Sequence, residues 1–249
     1  MSTTSSFQNE FVVIHGVSPD DCERIAALLG ESQLRRTEDQ GTLQVRRVLH
    51  GVTPQMYRQF LDTFPQQRVR LSYDGRTLEM MTPRKRQHEW VEGLLGRMIE
   101  AMALALDIPI QTTGSTTLSS GNYDRGVEPD RSYYVRSEPF VGSETYDPEK
   151  DPPPNLVIEV DVARSVVPRV PIHARIRVPE LWRYRRGRVQ FYRLSDSGRY
   201  VLIERSIAFP FITPDDITRF LNQRRERDEN SVVRGFVKWA KEAYREHKS

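Results

Sequence analysis

The sequence predicts an α/β fold, in which a mixed β-sheet core is flanked by helices and helical extensions follow at both ends of the chain. Helix-like and strand-like patterns alternate along the chain, as they do in α/β proteins. Residues 156–160 form a short, continuously apolar run, as expected for a strand covered on both faces. Asp74-Gly75 lies between two alternating runs and predicts a β-hairpin.

The composition predicts a folded cytoplasmic protein that does not cross a membrane. The chain has 249 residues, of which 37% are hydrophobic, and no apolar run approaches the ~20 residues of a membrane helix. The first residues have neither the basic nor the apolar region of a signal peptide. The single cysteine, Cys22, excludes an intramolecular disulfide and a cysteine-rich zinc site.

The basic residues predict a partner that contains phosphate. The formal net charge is only +3, but just five of the 37 basic residues are lysines. Arginine suits phosphate because its planar fork donates two hydrogen bonds at once. Many arginines cluster in one segment, at Arg164, Arg169, Arg175, Arg177, Arg183, Arg185, Arg186, Arg188 and Arg193. The alternative is a solvated arginine-rich surface without a partner.

The first 42 residues predict an N-terminal appendage. Residues 1–10 are polar and rich in serine and threonine, which is typical of a disordered tail. A strand-like run follows. Ser18 as N-cap and Pro19 at the first helical position then predict a short helix.

The next part of the chain predicts the first strands and the longest helix. After a strand at 43–49, Thr53 caps a helix that extends to about residue 64. The hairpin follows, and its second strand carries Glu79 between apolar residues. Apolar residues at helical spacing predict a helix with a buried face over 88–107.

The second half predicts the centre of the sheet and the C-terminal helices. One strand begins at Asp130, and the apolar strand at 156–160 follows a long loop. A short helix at 168–176 precedes a meander of three strands over 178–203. Two final helices are predicted at 214–223 and 231–246.

Two carboxylates on these central strands are the candidate functional residues. Asp130 opens one strand and Glu159 lies on the other. An ionised carboxylate is costly to bury unless a cation or hydrogen-bond donors compensate it. If the strands are neighbours, the pair predicts a site for Mg²⁺, which prefers oxygen ligands. The alternatives are that Asp130 caps its strand end and that Glu159 forms a buried ion pair with an arginine.

Five segments in order also resemble the Uma-type restriction endonuclease family of the PD-(D/E)XK nuclease superfamily. They are residues 73–83, His88, residues 128–130, residues 156–160 and residues 178–182. The similarity covers roughly residues 48–225. It implies a restriction-endonuclease-like domain at 43–225, between the appendage at 1–42 and a C-terminal helix at 226–249.

The resemblance also implies a metal site. The metal ligands of the family fall on Asp130, Glu159 and the backbone carbonyl of Val160, and the ion would be Mg²⁺ or Mn²⁺. Glu79 and His88 match an acidic residue and a histidine that would hold a metal-bound water or orient a ligand. His88 equally fits a hydrogen-bonding residue at the start of a helix.

One position departs from the family pattern. Two residues after Glu159 the chain has Asp161 in place of lysine, and the matching basic residue on the next helix is Arg169. Arginine keeps a positive charge that stabilises the transition state, but it cannot shuttle a proton. Asp161 would add a third carboxylate or cap the next turn.

The resemblance therefore implies a Mg²⁺-dependent endonuclease that hydrolyses phosphodiester bonds of double-stranded DNA. A homodimer is expected by analogy with nucleases that cut both strands. The alternative is a catalytically impaired protein that keeps the nuclease fold and acts as a nucleic-acid-binding or interaction module.

Overall fold

The computed structural model of the protein describes residues 46–63, 70–81, 86–136, 146–161 and 168–249. The predicted appendage, residues 1–42, lies outside these ranges. Within them, the chain forms eleven strands and five helices. None of these described helices is long and apolar enough to cross a membrane.

The strands form two sheets. In chain order they are β1 (Arg46–His50), β2 (Arg70–Tyr73), β3 (Thr77–Met81), β4 (Ile110–Thr112), β5 (Leu118–Ser119), β6 (Gly126–Val127), β7 (Arg131–Val135), β8 (Leu156–Asp161), β9 (Glu180–Arg185), β10 (Arg188–Leu194) and β11 (Tyr200–Ile203). The five-stranded sheet has the order β1-β3-β2-β6-β5, and the six-stranded sheet has the order β11-β10-β9-β8-β7-β4. Strands β8 and β9 are parallel and β7 is antiparallel to β8. The predicted α/β fold with a mixed sheet is confirmed, and its strands divide between two sheets.

The β2–β3 hairpin turns at the predicted dipeptide. Gly75 has a φ of +93°, a backbone conformation that glycine adopts without steric cost. The Asp74 side chain accepts hydrogen bonds from the backbone N–H groups of Arg76 at 3.0 Å and Thr77 at 2.8 Å. These bonds hold β2 and β3 in one register.

The helices begin and end within two residues of their predicted bounds. They are α1 (Pro54–Thr63), α2 (Arg86–Ala105), α3 (Arg169–Ile176), α4 (Pro214–Gln223) and α5 (Glu229–Lys248). Helix α4 begins at a capping box, in which Thr213 and Asp216 satisfy each other's backbone N–H groups.

The largest core lies between the six-stranded sheet and the helices α2, α4 and α5. The Trp182 and Phe191 rings stack there with centroids 4.2 Å apart. Helix α5 packs against α2 and buries Val232, Phe236 and Ala240 in the same core. The C-terminal helix therefore shares the core of the residues before it.

Helix α3 joins the two sheets. Its residues Ile172 and Ile176 pack with Val127 of the five-stranded sheet and with Val157 and Leu181 of the six-stranded sheet. Arg169 and His173 lie on this same buried face of α3, and the candidate site forms around them where the two sheets meet.

Candidate functional site

The structure places Asp130 directly before β7 and Glu159 on the neighbouring strand β8. Strand β7 pairs with β8 so that Arg131 lies opposite Ile158, and the Asp130 N–H donates to the Ile158 carbonyl at 3.2 Å. Asp130 is the residue directly before β7, and Glu159 follows Ile158 on β8. Both side chains are buried.

The Asp130 carboxylate has three donors. Its Oδ1 accepts from Arg70 Nη1 and lies 3.1 Å from His88 Nε2, and its Oδ2 accepts from the Val160 N–H. Burial by itself raises the pKa of Asp130, but the Arg70 guanidinium and the His88 hydrogen bond outweigh it. The pKa is held well below its usual range, so Asp130 is ionised at neutral pH.

The Glu159 carboxylate is held by α3. Arg169 Nη1 donates to Oε2 at 2.5 Å, and His173 Nε2 donates to Oε1 at 2.6 Å. Burial lowers the pKa of Arg169, and the positive charge of the nearby Arg70 lowers it further. The Glu159 carboxylate acts in the opposite direction. The buried ion pair that was one alternative for Glu159 is therefore present.

The two ion pairs meet at one backbone oxygen. The Glu128 carbonyl accepts from Arg70 Nη2 and, at 2.5 Å, from Arg169 Nη2. Two guanidinium groups and two carboxylates thus form one buried cluster whose formal charges sum to zero. Such a cluster is costly to break, because removing one member leaves an opposite charge uncompensated.

Glu79 and His88 reach this cluster in different ways. His88 contacts Asp130 directly from the first turn of α2. Glu79 is fully buried on β3 opposite Ser72, and the Ser72 hydroxyl accepts from Arg169 Nε at 3.2 Å. Glu79 therefore shares the sheet face of a residue that holds Arg169.

Asp161 pairs with Arg183, which the sequence indicated only as a member of the arginine cluster. Arg183 of β9 donates to its Oδ2 through Nε and Nη2, each at 2.5 Å. Burial raises the pKa of Asp161 and Arg183 opposes that shift. Asp161 thus belongs to an ion pair with Arg183, two residues beyond Glu159 on β8.

Sequence reasoning missed Arg70 and His173. Arg70 lies two residues before Ser72 on β2, so the alternation of a strand puts both on one face. His173 lies four residues after Arg169, so a helix that brings Arg169 to the site brings His173 as well. Neither spacing could be used without the tertiary structure, because the sequence does not show that β2 and α3 border the site.

The oxygen groups suit a hard divalent cation. Asp130 is ionised, and Glu159 lies beside it. The Val160 N–H points toward Asp130, and the carbonyl of a strand residue points to the same side as its N–H. The donor set of Asp130, Glu159 and the Val160 carbonyl thus fits Mg²⁺ or Mn²⁺. Arg70 and Arg169 compete with such an ion for the two carboxylates.

Comparisons with known proteins place the chain in a family. The family described as "Uma2: Putative restriction endonuclease" matches residues 54–219. A comparison with curated proteins gave no match. Among solved structures, the chain is similar to a putative nuclease belonging to DUF820 from Anabaena variabilis ATCC 29413, with 15% identity, a TM-score of 0.45 and coverage of 65% of this chain and 98% of that one.

The Uma2 match extends over more than half of the chain and includes Asp130, Glu159, Val160 and Arg169. It supports a nuclease with a nucleic-acid substrate, and enzymes of this fold generally use divalent metal ions. The resemblance predicted from the sequence motifs is confirmed, and the chain belongs to the Uma2 family of putative restriction endonucleases.

Proposed function

We propose that the protein is a Mg²⁺- or Mn²⁺-dependent endonuclease that hydrolyses phosphodiester bonds of double-stranded DNA. The observation that carries this proposal is the pair of buried carboxylates, Asp130 directly before β7 and Glu159 on the neighbouring β8, with an arginine bound to each. Acidic ligands beside arginines suit a substrate that is an anionic phosphodiester.

Asp130, Glu159 and the Val160 carbonyl would hold the ion. A bound divalent ion supplies a nucleophilic water at neutral pH and neutralises charge on the scissile phosphate. His88 keeps Asp130 oriented through its Nε2–H, and His173 does the same for Glu159. Fixed carboxylates need little reorganisation when the ion and the substrate arrive.

The arginines supply the remaining positive charge. Arg169 and Arg70 now donate to carboxylates and to the Glu128 carbonyl. A phosphate oxygen entering the site offers each guanidinium a second anionic acceptor, so we propose that they shift toward it. Arg169 then stabilises the charge that develops on the phosphate, but it transfers no proton because its guanidinium stays charged.

Exposed arginines extend from this site. Strand β9 runs parallel to β8, with Glu159 opposite Arg183 and Asp161 opposite Arg185. The turn between β9 and β10, with the strand residues on either side of it, carries the exposed residues Arg185, Arg186 and Arg188. This turn therefore lies at the same end of the strands as the carboxylates. There it would contact the phosphates on either side of the scissile bond.

The proposal includes three features that the sequence suggested. We propose a nuclease domain at 43–225 with an appendage at 1–42, a location in the cytoplasm, and a homodimer as the unit that cuts both strands. Sedimentation of the protein alone and with a DNA duplex measures the last of these, and a monomer in both states would contradict it.

The test is metal-dependent cleavage of plasmid DNA. The wild-type chain should nick and linearise the plasmid with Mg²⁺ or Mn²⁺, and Asp130→Asn and Glu159→Gln should each abolish cutting. Asp196→Asn is the matched control, because Asp196 is exposed in the turn after β10, at the opposite end of the strands. An uncut plasmid, or full activity in both site variants, would refute the proposal.

A second candidate follows from the same cluster. Because Arg70 and Arg169 already neutralise both carboxylates, the protein would also be stable as a non-cutting module that binds nucleic acid. Salt-dependent DNA binding without metal-dependent cleavage would select this function, provided that Arg169→Lys does not restore cleavage.

A further inference from the structure

Next to Asp130 lies a second group of metal-binding side chains, on the first turns of α2. His88, Glu89 and Glu92 each offer one ligand atom, and these atoms all lie within 4.8 Å of one another. His88 and Glu92 are four residues apart and so project from the same face of the helix. Glu89 borders that face at the exposed end.

The His88 ring supplies the observation that points to a ligand. Its Nε2 faces the ionised Asp130 carboxylate at 3.1 Å, so Nε2 carries the proton of that contact and Nδ1 is the nitrogen that could bind a metal. His88 is more than nine-tenths buried. Its Nδ1 has no hydrogen-bond partner among the residues that the structure describes.

The unpartnered Nδ1 faces the acidic groups of α2. It lies 3.7 Å from Glu89 Oε1, too far for a hydrogen bond. Two ligand atoms that share one metal at ~2.1 Å each are roughly 3.0 to 3.4 Å apart for octahedral or tetrahedral geometry. The His88 and Glu89 atoms therefore need only a small approach to share an ion, whereas a pair of ligand atoms near the 4.8 Å limit needs a larger movement of a glutamate side chain.

Glu92 is already oriented, and the local charge favours a dication. Arg131 Nε lies 3.3 Å from Glu92 Oε1, and Arg131 Nη1 lies 3.1 Å from Glu100 Oε1. The three carboxylates of Glu89, Glu92 and Glu100 against the single guanidinium of Arg131 leave a formal charge of −2 among these four side chains.

We propose that His88 Nδ1, Glu89 and Glu92 bind a divalent transition metal of the Zn²⁺ class. An imidazole nitrogen with two carboxylates suits Zn²⁺, Co²⁺ or Ni²⁺ better than Mg²⁺. Asp130, His88 and this ion would form a carboxylate–histidine–metal chain, in which the ion fixes the ring tautomer. The site lies beyond the Mg²⁺ or Mn²⁺ site of the proposed function, and its ion would position Asp130.

The experiment is calorimetric titration of the full chain with Zn²⁺, repeated with Co²⁺ while the visible absorption is recorded. One ion should bind per chain, and excess Mg²⁺ should not displace it. Glu92→Gln and His88→Ala should each weaken binding more than about tenfold. Circular dichroism of Glu92→Gln verifies that this variant folds.

Glu159→Gln is the matched control, because it removes a carboxylate of the Mg²⁺ or Mn²⁺ site and leaves α2 unchanged. It should bind Zn²⁺ as tightly as the wild type, even where plasmid cleavage is lost. No Zn²⁺ binding would overturn the inference, as would binding that Glu159→Gln removes and Glu92→Gln preserves. Cleavage without Zn²⁺ binding would refute only the proposed Zn²⁺ site. Zn²⁺ binding without cleavage would refute only the proposed function.

Discussion

Replacing Arg70 with methionine should destabilise the protein through the charge of Asp130. The Arg70 side chain is 13% exposed and that of Asp130 is fully buried. Removing one partner of a buried ion pair costs about 3–5 kcal/mol. Asp130 keeps His88 and the Val160 N–H as donors, so we expect a loss of about 3 kcal/mol at pH 7.

The loss should depend on pH. In the wild type the pKa of Asp130 is depressed, so its stabilisation is present above the pKa of ~3.9 of an unfolded aspartate and is lost as the pH falls through the folded pKa. Without Arg70, burial raises the pKa of Asp130 and protonation removes the unpaired charge. The difference between wild type and Arg70→Met should therefore shrink as the pH falls from 7 toward 4.

Urea unfolding followed by circular dichroism at pH 7 and pH 4 measures both effects. Arg199→Met is the control, since Arg199 is exposed in the turn after β10 and should change the free energy of unfolding by less than about 0.5 kcal/mol. In the double variant Arg70→Met/Asp130→Asn, the two losses should be less than additive. A loss below about 1 kcal/mol at pH 7, or one of equal size at pH 4, would refute the reasoning.

Three further outcomes follow from the same contacts. Arg70→Met should bind Mn²⁺ more tightly than the wild type in a calorimetric titration, because a competitor for Asp130 is gone; weaker binding would contradict the competition. Arg169→Met should slow plasmid cleavage by about 100-fold or more. Arg169→Lys keeps the positive charge and should therefore cut faster than Arg169→Met. Equal rates in the wild type and both variants would exclude a role for the charge. Gly126→Ala should lower the free energy of unfolding by about 1–3 kcal/mol, because the new methyl group meets the buried Tyr57 ring; an unchanged urea midpoint would show that Tyr57 moves aside freely.

The central strands show how far local patterns reach. The apolar run that contains Glu159 predicted a buried strand and the Asp74-Gly75 dipeptide predicted a hairpin, because both signals depend on a few consecutive residues. The order of the Uma2 motifs then named the family. Each of these inferences needed no knowledge of distant contacts.

Local patterns did not identify Arg70 and His173 as partners of the two carboxylates, and Arg169 was indicated only by the family resemblance. Glu159 binds Arg169 and His173 from a helix ten residues away, whereas Asp130 binds Arg70, sixty residues earlier on another sheet. Sequence spacing gives no information about which of many arginines will meet a given carboxylate. The roles of Asp130, Glu159, Val160, Glu79, His88 and Arg169 in metal binding and catalysis stay predictions.

The sequence by itself determined the α/β class, the bounds of the described helices to within two residues, the family and the two segments that carry Asp130 and Glu159, because propensity, periodicity and motif order are local properties. Only the tertiary structure decided that the strands divide into two sheets and that α3 joins them. It also decided that two arginines and two histidines close on the carboxylates, and that His88 faces Asp130 with one nitrogen and Glu89 with the other. Those contacts arise because a buried charge is stable only beside groups that compensate it, and the fold alone chooses which groups lie near enough.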